Sequence, residues 1–264
     1  VTTVAEGRPL TDVLRDILRP YALPPVEDVQ ARRRLAGSLL SGSLLSGSLF
    51  SGQDNGSSGG LALAYAVIAY CSSTEDGAAE VAAAVPDHED ALVLDGDRGG
   101  YVLLPCAQDG HVALARDLHD RIGAEVWMAV AWAPRHDLAT ARATAADVLR
   151  IGYGRAPGVY ELRTVLADFA VLRQPRIAER LVRTIQPVVA RRPLLDALRA
   201  FIAEDGNRTA AARRLDIHRS TLDHRLRLVE RLTGCRPTSP RELLTLSVAL
   251  TAHSTPQVPL PRTG

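Results

Sequence analysis

The sequence predicts an α/β domain built on a mixed sheet, followed by an all-α domain. Three observations carry that expectation. Between 61 and 162, short apolar runs alternate with amphipathic stretches in the order β-α-β-β-α-β-α-β. From 162 onward, apolar residues recur at helical spacing. The charge also changes sign along the chain. Residues 191–250 hold 12 Arg against 7 acidic residues, a net of +5, whereas residues 1–190 hold 18 Arg against 23, a net of −5. A basic module behind an acidic body points to a polyanionic partner at one end.

Residues 1–60 are expected to form N-terminal helices and a flexible Gly/Ser linker. Residues 10–19 suit a short amphipathic helix capped by Thr11 and ended by Pro20. A second helix starts near Val26 and runs into the repeat GSLLSGSLLSGSLF. There Leu39, Leu40, Leu44, Leu45, Leu49 and Phe50 make an apolar set, interrupted by glycines that each weaken a helix by about 1 kcal/mol. The repeat reads either as expansion at a helix end or as an apolar seam for a partner helix. SGQDNGSSGG (51–60) has linker composition.

The region 61–162 is the expected sheet domain. LALAYAVIAY (61–70) is a dense apolar run of strand type, and alanine-rich 77–85 is a helix stopped by Pro86. ALVLD (91–95) and YVLLP (101–105) flank GDRGG, which reads as the turn of a hairpin. HVALARDLHDRIG (111–123) is an amphipathic helix with Gly123 as its cap, EVWMAVAWA (125–133) a strand, 138–152 a helix, and GVYEL (158–162) a last strand. Residues 163–190 form a helical connector, 191–252 a basic helical domain, and 253–264 a disordered tail.

Composition narrows the function classes. Apolar residues make up 46% of the 264, enough for real cores. All 31 Lys or Arg residues are arginine. Cys71, Cys106 and Cys235 are too far apart in sequence for metal-ligand spacing and suggest neither a metal site nor a disulfide framework, so a cytoplasmic location is expected. No run has the length of a membrane span or a signal-peptide core, so no membrane partner is expected. Seven scattered histidines read as solvated, and no nucleophile arrangement stands out. No cofactor, metal or catalytic residue is expected.

The basic domain carries the sharpest pattern. Leu194, Leu195, Leu198, Phe201 and Ile202 share one helical face, and Gly206 ends that helix. Asn207 can cap the next helix, in which Ala211, Ala212 and Leu215 are apolar. Asp216, Ile217 and His218 connect it to a helix over 219–233 that Gly234 stops. At 100° per residue, Leu222, Leu226 and Val229 fall together, while Ser220, His224, Arg227 and Arg231 gather opposite with Thr221 at the flank. Helix, short turn, and a second helix that is polar and basic outside is the helix-turn-helix pattern. Such a helix enters a DNA major groove, where arginine reads guanine in a bidentate way.

The run from Leu194 to Gly234 resembles the C-terminal helix-turn-helix domain of the PucR family of transcription regulators. The resemblance rests on Gly206, Asn207, Ala211, Ala212, Leu215, His218, Arg219, Thr221, Leu222, Arg225, Leu226, Val229 and Glu230, and continues through SPRELLTLSVAL. His224 departs from the family pattern, which usually has tyrosine there. The resemblance implies double-stranded DNA as partner and His218, Arg219, Ser220 and Thr221 as the start of the recognition helix. Ser220, Thr221, His224 and Arg227 are the candidates for base edges, and Arg219, Arg225 and Arg231 for phosphates. Homodimerisation is expected, through the apolar helix at 26–45 or the segments at 162–190.

By the same resemblance, 61–162 is similar to the degenerate GGDEF-like domain of these regulators. The hairpin DGDRGGYVLLP stands where diguanylate cyclases carry Gly-Gly-Asp/Glu-Glu-Phe. Here Tyr101 and Val102 follow Gly99 and Gly100, so both acids are missing, as is the metal aspartate expected after the first strand. The chain is therefore read as no enzyme, and Asp95 and Asp97 as turn carboxylates. The stretch ahead of residue 61 is short for the separate sensory domain of many relatives, which leaves any small-molecule effector unidentified. Two alternatives stand beside the regulator reading. In one, the GGDEF-like domain senses a nucleotide or metabolite. In the other, the chain binds DNA without regard to sequence.

Overall fold

The protein is described by a computed structural model covering residues 29–42, 62–85, 91–122, 125–255, 258, 260 and 261. The expected helix at 10–19, the linker at 51–60, the repeat beyond Gly42, the cap at Gly123 and most of the tail lie outside the described residues. Internal contacts divide the chain into two units. The first holds the described residues up to Leu149, Pro157–Glu161 and those from Val258 on, the second Arg150–Ala156 and the described residues of Leu162–Gln257.

The first unit follows the expected element order. After α1 (Val29–Ser41) come β1 (Ala64–Ser72), α2 (Glu75–Ala84), β2 (Leu92–Asp95), β3 (Gly99–Pro105), α3 (His111–Ile122), β4 (Val126–Pro134), α4 (Leu138–Gly152, its last turn in the second unit) and β5 (Gly158–Glu161). The sheet order is β2-β3-β1-β4-β5. Strand β1 lies antiparallel to β3 and β4, and β5 adds in parallel to β4, so the sheet is mixed. The first four strands with α2 and α3 make the split β-α-β arrangement. Strand β1 sits centrally because it is apolar on both faces: no residue from Tyr65 to Ser72 is more than 1% exposed.

One sheet face, with Ile68, Tyr70, Val102 and Met128, packs against Val81 of α2 and Ala115 and Leu118 of α3. Helix α2 begins where the Thr74 hydroxyl accepts from the Gly77 N–H at 3.1 Å. Helix α1 buries Ala36, Leu39 and Leu40. The first leucine pair of the repeat is thus core, and does not form a seam open to a partner helix. His119 also departs from its solvated reading, since its Nε2 lies 3.1 Å from the Val126 carbonyl oxygen.

The second unit is helical: α5 (Leu166–Leu172), α6 (Pro175–Val189), α7 (Arg192–Ala203), α8 (Arg208–Arg214), α9 (Arg219–Thr233) and α10 (Pro240–Ser254). Two clusters form its core. Ile185, Val188, Leu195, Leu198, Val229 and Leu246 join α6, α7, α9 and α10. Phe201, Ala211, Ala212, Leu222 and Leu226 join α7, α8 and α9. Helix α9 supplies both clusters from one face, with Leu222, Leu226 and Val229 at 0, 3 and 0% exposure. Each such burial contributes about 1.5–3 kcal/mol. Where the chain turns toward α5, Arg155 donates to the nearly buried Asp168 at 2.8 Å.

Candidate nucleic-acid interface

Helix α7 ends at Ala203, and the chain turns through two left-handed residues, Asp205 and Gly206, the latter at φ 80°. Asp205 adopts the left-handed conformation (φ 48°) and donates to the Ile202 carbonyl, while the Gly206 N–H reaches back to Phe201 O at 2.8 Å. This is the Schellman ending. Asn207 then caps α8 as expected, its Oδ1 accepting from the N–H groups of Thr209 and Ala210, both at 3.1 Å.

Helix α8 ends the same way. Asp216 is left-handed (φ 51°) and donates to Arg213 O, and Ile217 donates to Ala212 O, both at 3.0 Å. Aspartate tolerates this conformation better than most residues with a Cβ. Ile217 packs against the α7–α9 cluster. Four residues, Leu215–His218, therefore separate α8 from α9.

His218 is the N-cap of α9, a role the sequence reading missed. Its Nδ1 accepts from the Ser220 N–H at 3.3 Å and lies 2.7 Å from the Ser220 Oγ. Histidine is outside the usual capping set, so nothing in the sequence signalled this bond. Gly234, left-handed at φ 72°, ends α9 by donating to Glu230 O at 2.8 Å.

The α9 surface matches the helical wheel. His218, Arg219, Ser220, Thr221, His224, Arg227 and Arg231 are exposed, and Arg225 is half-buried. From Ser220 to Arg231 the polar stripe is about 16 Å long at 1.5 Å per residue. Several nearby arginines are committed elsewhere. Arg208 pairs with Asp223 of α9 at 3.4 Å, and Arg214 with Glu204 at 3.1 Å. Arg236 holds the loop before α10 through Glu242, donating from its backbone N–H at 2.6 Å and from its guanidinium at 3.1 Å. Those bonds, the backbone one foremost, keep the Glu242 carboxyl below the usual carboxylate range. Among the described residues, Arg219, Arg225, Arg227 and Arg231 make no such pair. A cleft of about 450 Å³ opens beside the cap of α8, with Asn207, Arg208, Thr209, Arg219 and Thr238 in its walls.

The hairpin of the sheet unit is closed by contrast. The turn spans Gly96–Arg98, and the strand ladder starts at Gly99, two residues earlier than expected. Gly100 lies opposite Tyr70 on β1, and the tyrosine occupies the space over it. A Cβ at residue 100 would stand 2.4 Å from Leu94 O and 2.7 Å from the Tyr70 hydroxyl. That hydroxyl is buried without a hydrogen-bond partner, and burial pushes the phenol well above its usual range, the Asp95 carboxylate adding to the effect. Asp95 ends β2 and pairs with Arg33 of α1 at 3.3 Å. Among the described residues, no group of three or more His, Cys, Asp or Glu is assembled to hold a metal ion.

A capped helical pair whose second member is apolar inside and cationic outside defines a helix-turn-helix DNA reader. Residues 194–252 match the family model of the PucR C-terminal helix-turn-helix domain. The chain thus carries a PucR-type reader and is a DNA-binding transcriptional regulator. No curated protein matches it. Among solved structures, a regulator of polyketide synthase expression from Bifidobacterium adolescentis aligns at 17% identity over 91% of this chain and 97% of that chain. The TM-score is 0.37, a likeness too loose to carry an argument about fold or function. Among the described residues, no helix is long and apolar enough to cross a membrane.

Proposed function

We propose that the chain docks α9 in the major groove of its operator. Ser220, Thr221, His224 and Arg227 face base edges, His218 stands at the entering end, and Arg219, Arg225 and Arg231 hold phosphates. The supporting observation is the stripe of exposed, uncommitted polar side chains on a helix whose other face is fixed in the core. Arg219, in the wall of the cleft beside α8, has room to receive a phosphate there.

We read the sheet unit as a degenerate GGDEF-like scaffold rather than an enzyme or a nucleotide sensor. Its strand order suits that reading, and Tyr70 fills the space over Gly100 that a nucleotide would need. Two copies of the chain act together on a repeated site. Helices α5 and α6 are the favoured contact, because Leu166 and Ile177 stand 57% and 51% exposed there. A Leu166→Asp/Ile177→Asp variant should then sediment as a monomer.

The decisive experiment is fluorescence anisotropy of the purified chain on its own upstream intergenic DNA and on a scrambled duplex, across a salt series. The native duplex should win by roughly a thousandfold, and an Arg227→Ala/His224→Ala variant should lose that preference. Equal, salt-steep binding to both duplexes would instead mean that the basic helices hold phosphates alone.

A further inference from the structure

We propose that Ser220 reads an exocyclic amine, adenine N6 or cytosine N4, in the major groove. His218 is the positioning residue that makes this serine an acceptor. The inference rests on the docking reading above and assigns the hydrogen-bond polarity of one contact.

A serine hydroxyl can ordinarily donate or accept, so it discriminates poorly between bases. Here the cap removes that freedom. The Ser220 N–H can only donate, and it points at His218 Nδ1 from 3.3 Å. That nitrogen is therefore the unprotonated one, and the ring proton sits on Nε2. The Ser220 Oγ lies 2.7 Å from the same Nδ1. Since Nδ1 has no proton to give, the hydroxyl donates. What Oγ then presents to its surroundings is lone pairs.

Ser220 is the second residue of α9, exposed, and in line with His224 and Arg227. An acceptor placed there has two kinds of base partner in the major groove, the amines of adenine and cytosine. Guanine O6 and N7 and thymine O4 turn lone pairs toward it and are disfavoured. Phosphate oxygens are disfavoured for the same reason, which separates Ser220 from the neighbouring arginines.

The test begins with selection of duplexes from a random library by the full-length chain. Anisotropy then follows with every base placed in turn at each position of the selected half-site. One position should prefer a base presenting an amine by about tenfold. Ser220→Ala should flatten that position and no other. Replacing its adenine by purine, which lacks the amine, should weaken the wild type by the same factor and leave Ser220→Ala unaffected. His218→Asn, whose amide oxygen can accept both bonds, should keep the preference. His218→Ala should lose it with the salt slope unchanged, whereas a merely structural role would lower binding to all sequences alike. If Ser220→Ala keeps every preference, or flattens a position that favoured guanine or thymine, the inference fails and the docking reading stands. If the library yields no enriched site, the docking reading falls first and takes this inference with it.

Discussion

The hairpin of the sheet unit and the turn of the reader treat their polar surface in opposite ways. At the hairpin, Gly100 is covered by Tyr70 and Asp95 is taken by Arg33, so the chain satisfies its own geometry. At the reader, Arg219, Arg227 and Arg231 remain exposed, and the helix that carries them is held from behind by Leu222, Leu226 and Val229. Uncommitted polar groups on a rigid element are therefore the better guide to function here than the glycine pair in the hairpin.

Substitutions can break or sharpen this contrast. The largest effect is expected for Leu226→Ala, which removes a buried side chain shared by three helices and should cost about 2–5 kcal/mol in chemical denaturation. DNA affinity should fall with the folded fraction. Gly100→Ala should cost about 1–3 kcal/mol, because the new methyl meets a backbone oxygen that has nowhere to go. Binding by the fraction that folds should be unchanged, and a loss of sequence preference there would undo the contrast. Asn207→Ala should cost about 1 kcal/mol and show as faster amide exchange at Thr209 and Ala210. Arg33→Ala should change stability by less than about 1 kcal/mol, since both partners are half exposed.

A pH experiment probes the closed region by itself. Burial pushes the Cys71 thiol up to about 12, the positive charge of Arg98 opposing the shift. In the unfolded chain a thiol ionises near its ordinary value, about 8.5. Above that value the unfolded state binds fewer protons than the folded one, so Cys71 makes stability fall as pH rises from about 9 toward 12. The denaturation midpoint should drop between pH 8 and pH 10, and less so in Cys71→Ala. An equal drop in both proteins would remove Cys71 as the cause.

Much of this was legible in sequence because it depends on periodicity. The apolar run at 61–70 read as a strand, and β1 spans Ala64–Ser72. The spacing of Leu222, Leu226 and Val229 located the inner face of α9, and with it the outer one. What escaped depends on contacts between distant residues or on atypical chemistry. The glycines were read as turn residues because their partner, Tyr70, lies about thirty positions away and meets Gly100 only through strand pairing. Asp216 gave no sign of a left-handed ending, a place more often held by glycine. His218 was read as a DNA contact, and its imidazole first completes the helix that would make the contact.

The pairing of Tyr70 with Gly100 also limits where the lineage can go. While tyrosine holds position 70, no side chain fits at 100, and shortening Tyr70 alone leaves a hole in the core beneath it. Replacing Tyr70 does not free position 100 either, because the Leu94 carbonyl oxygen still stands where a Cβ would be. Position 100 should therefore stay glycine whatever stands at 70, while position 70 should accept only side chains that fill the same buried volume.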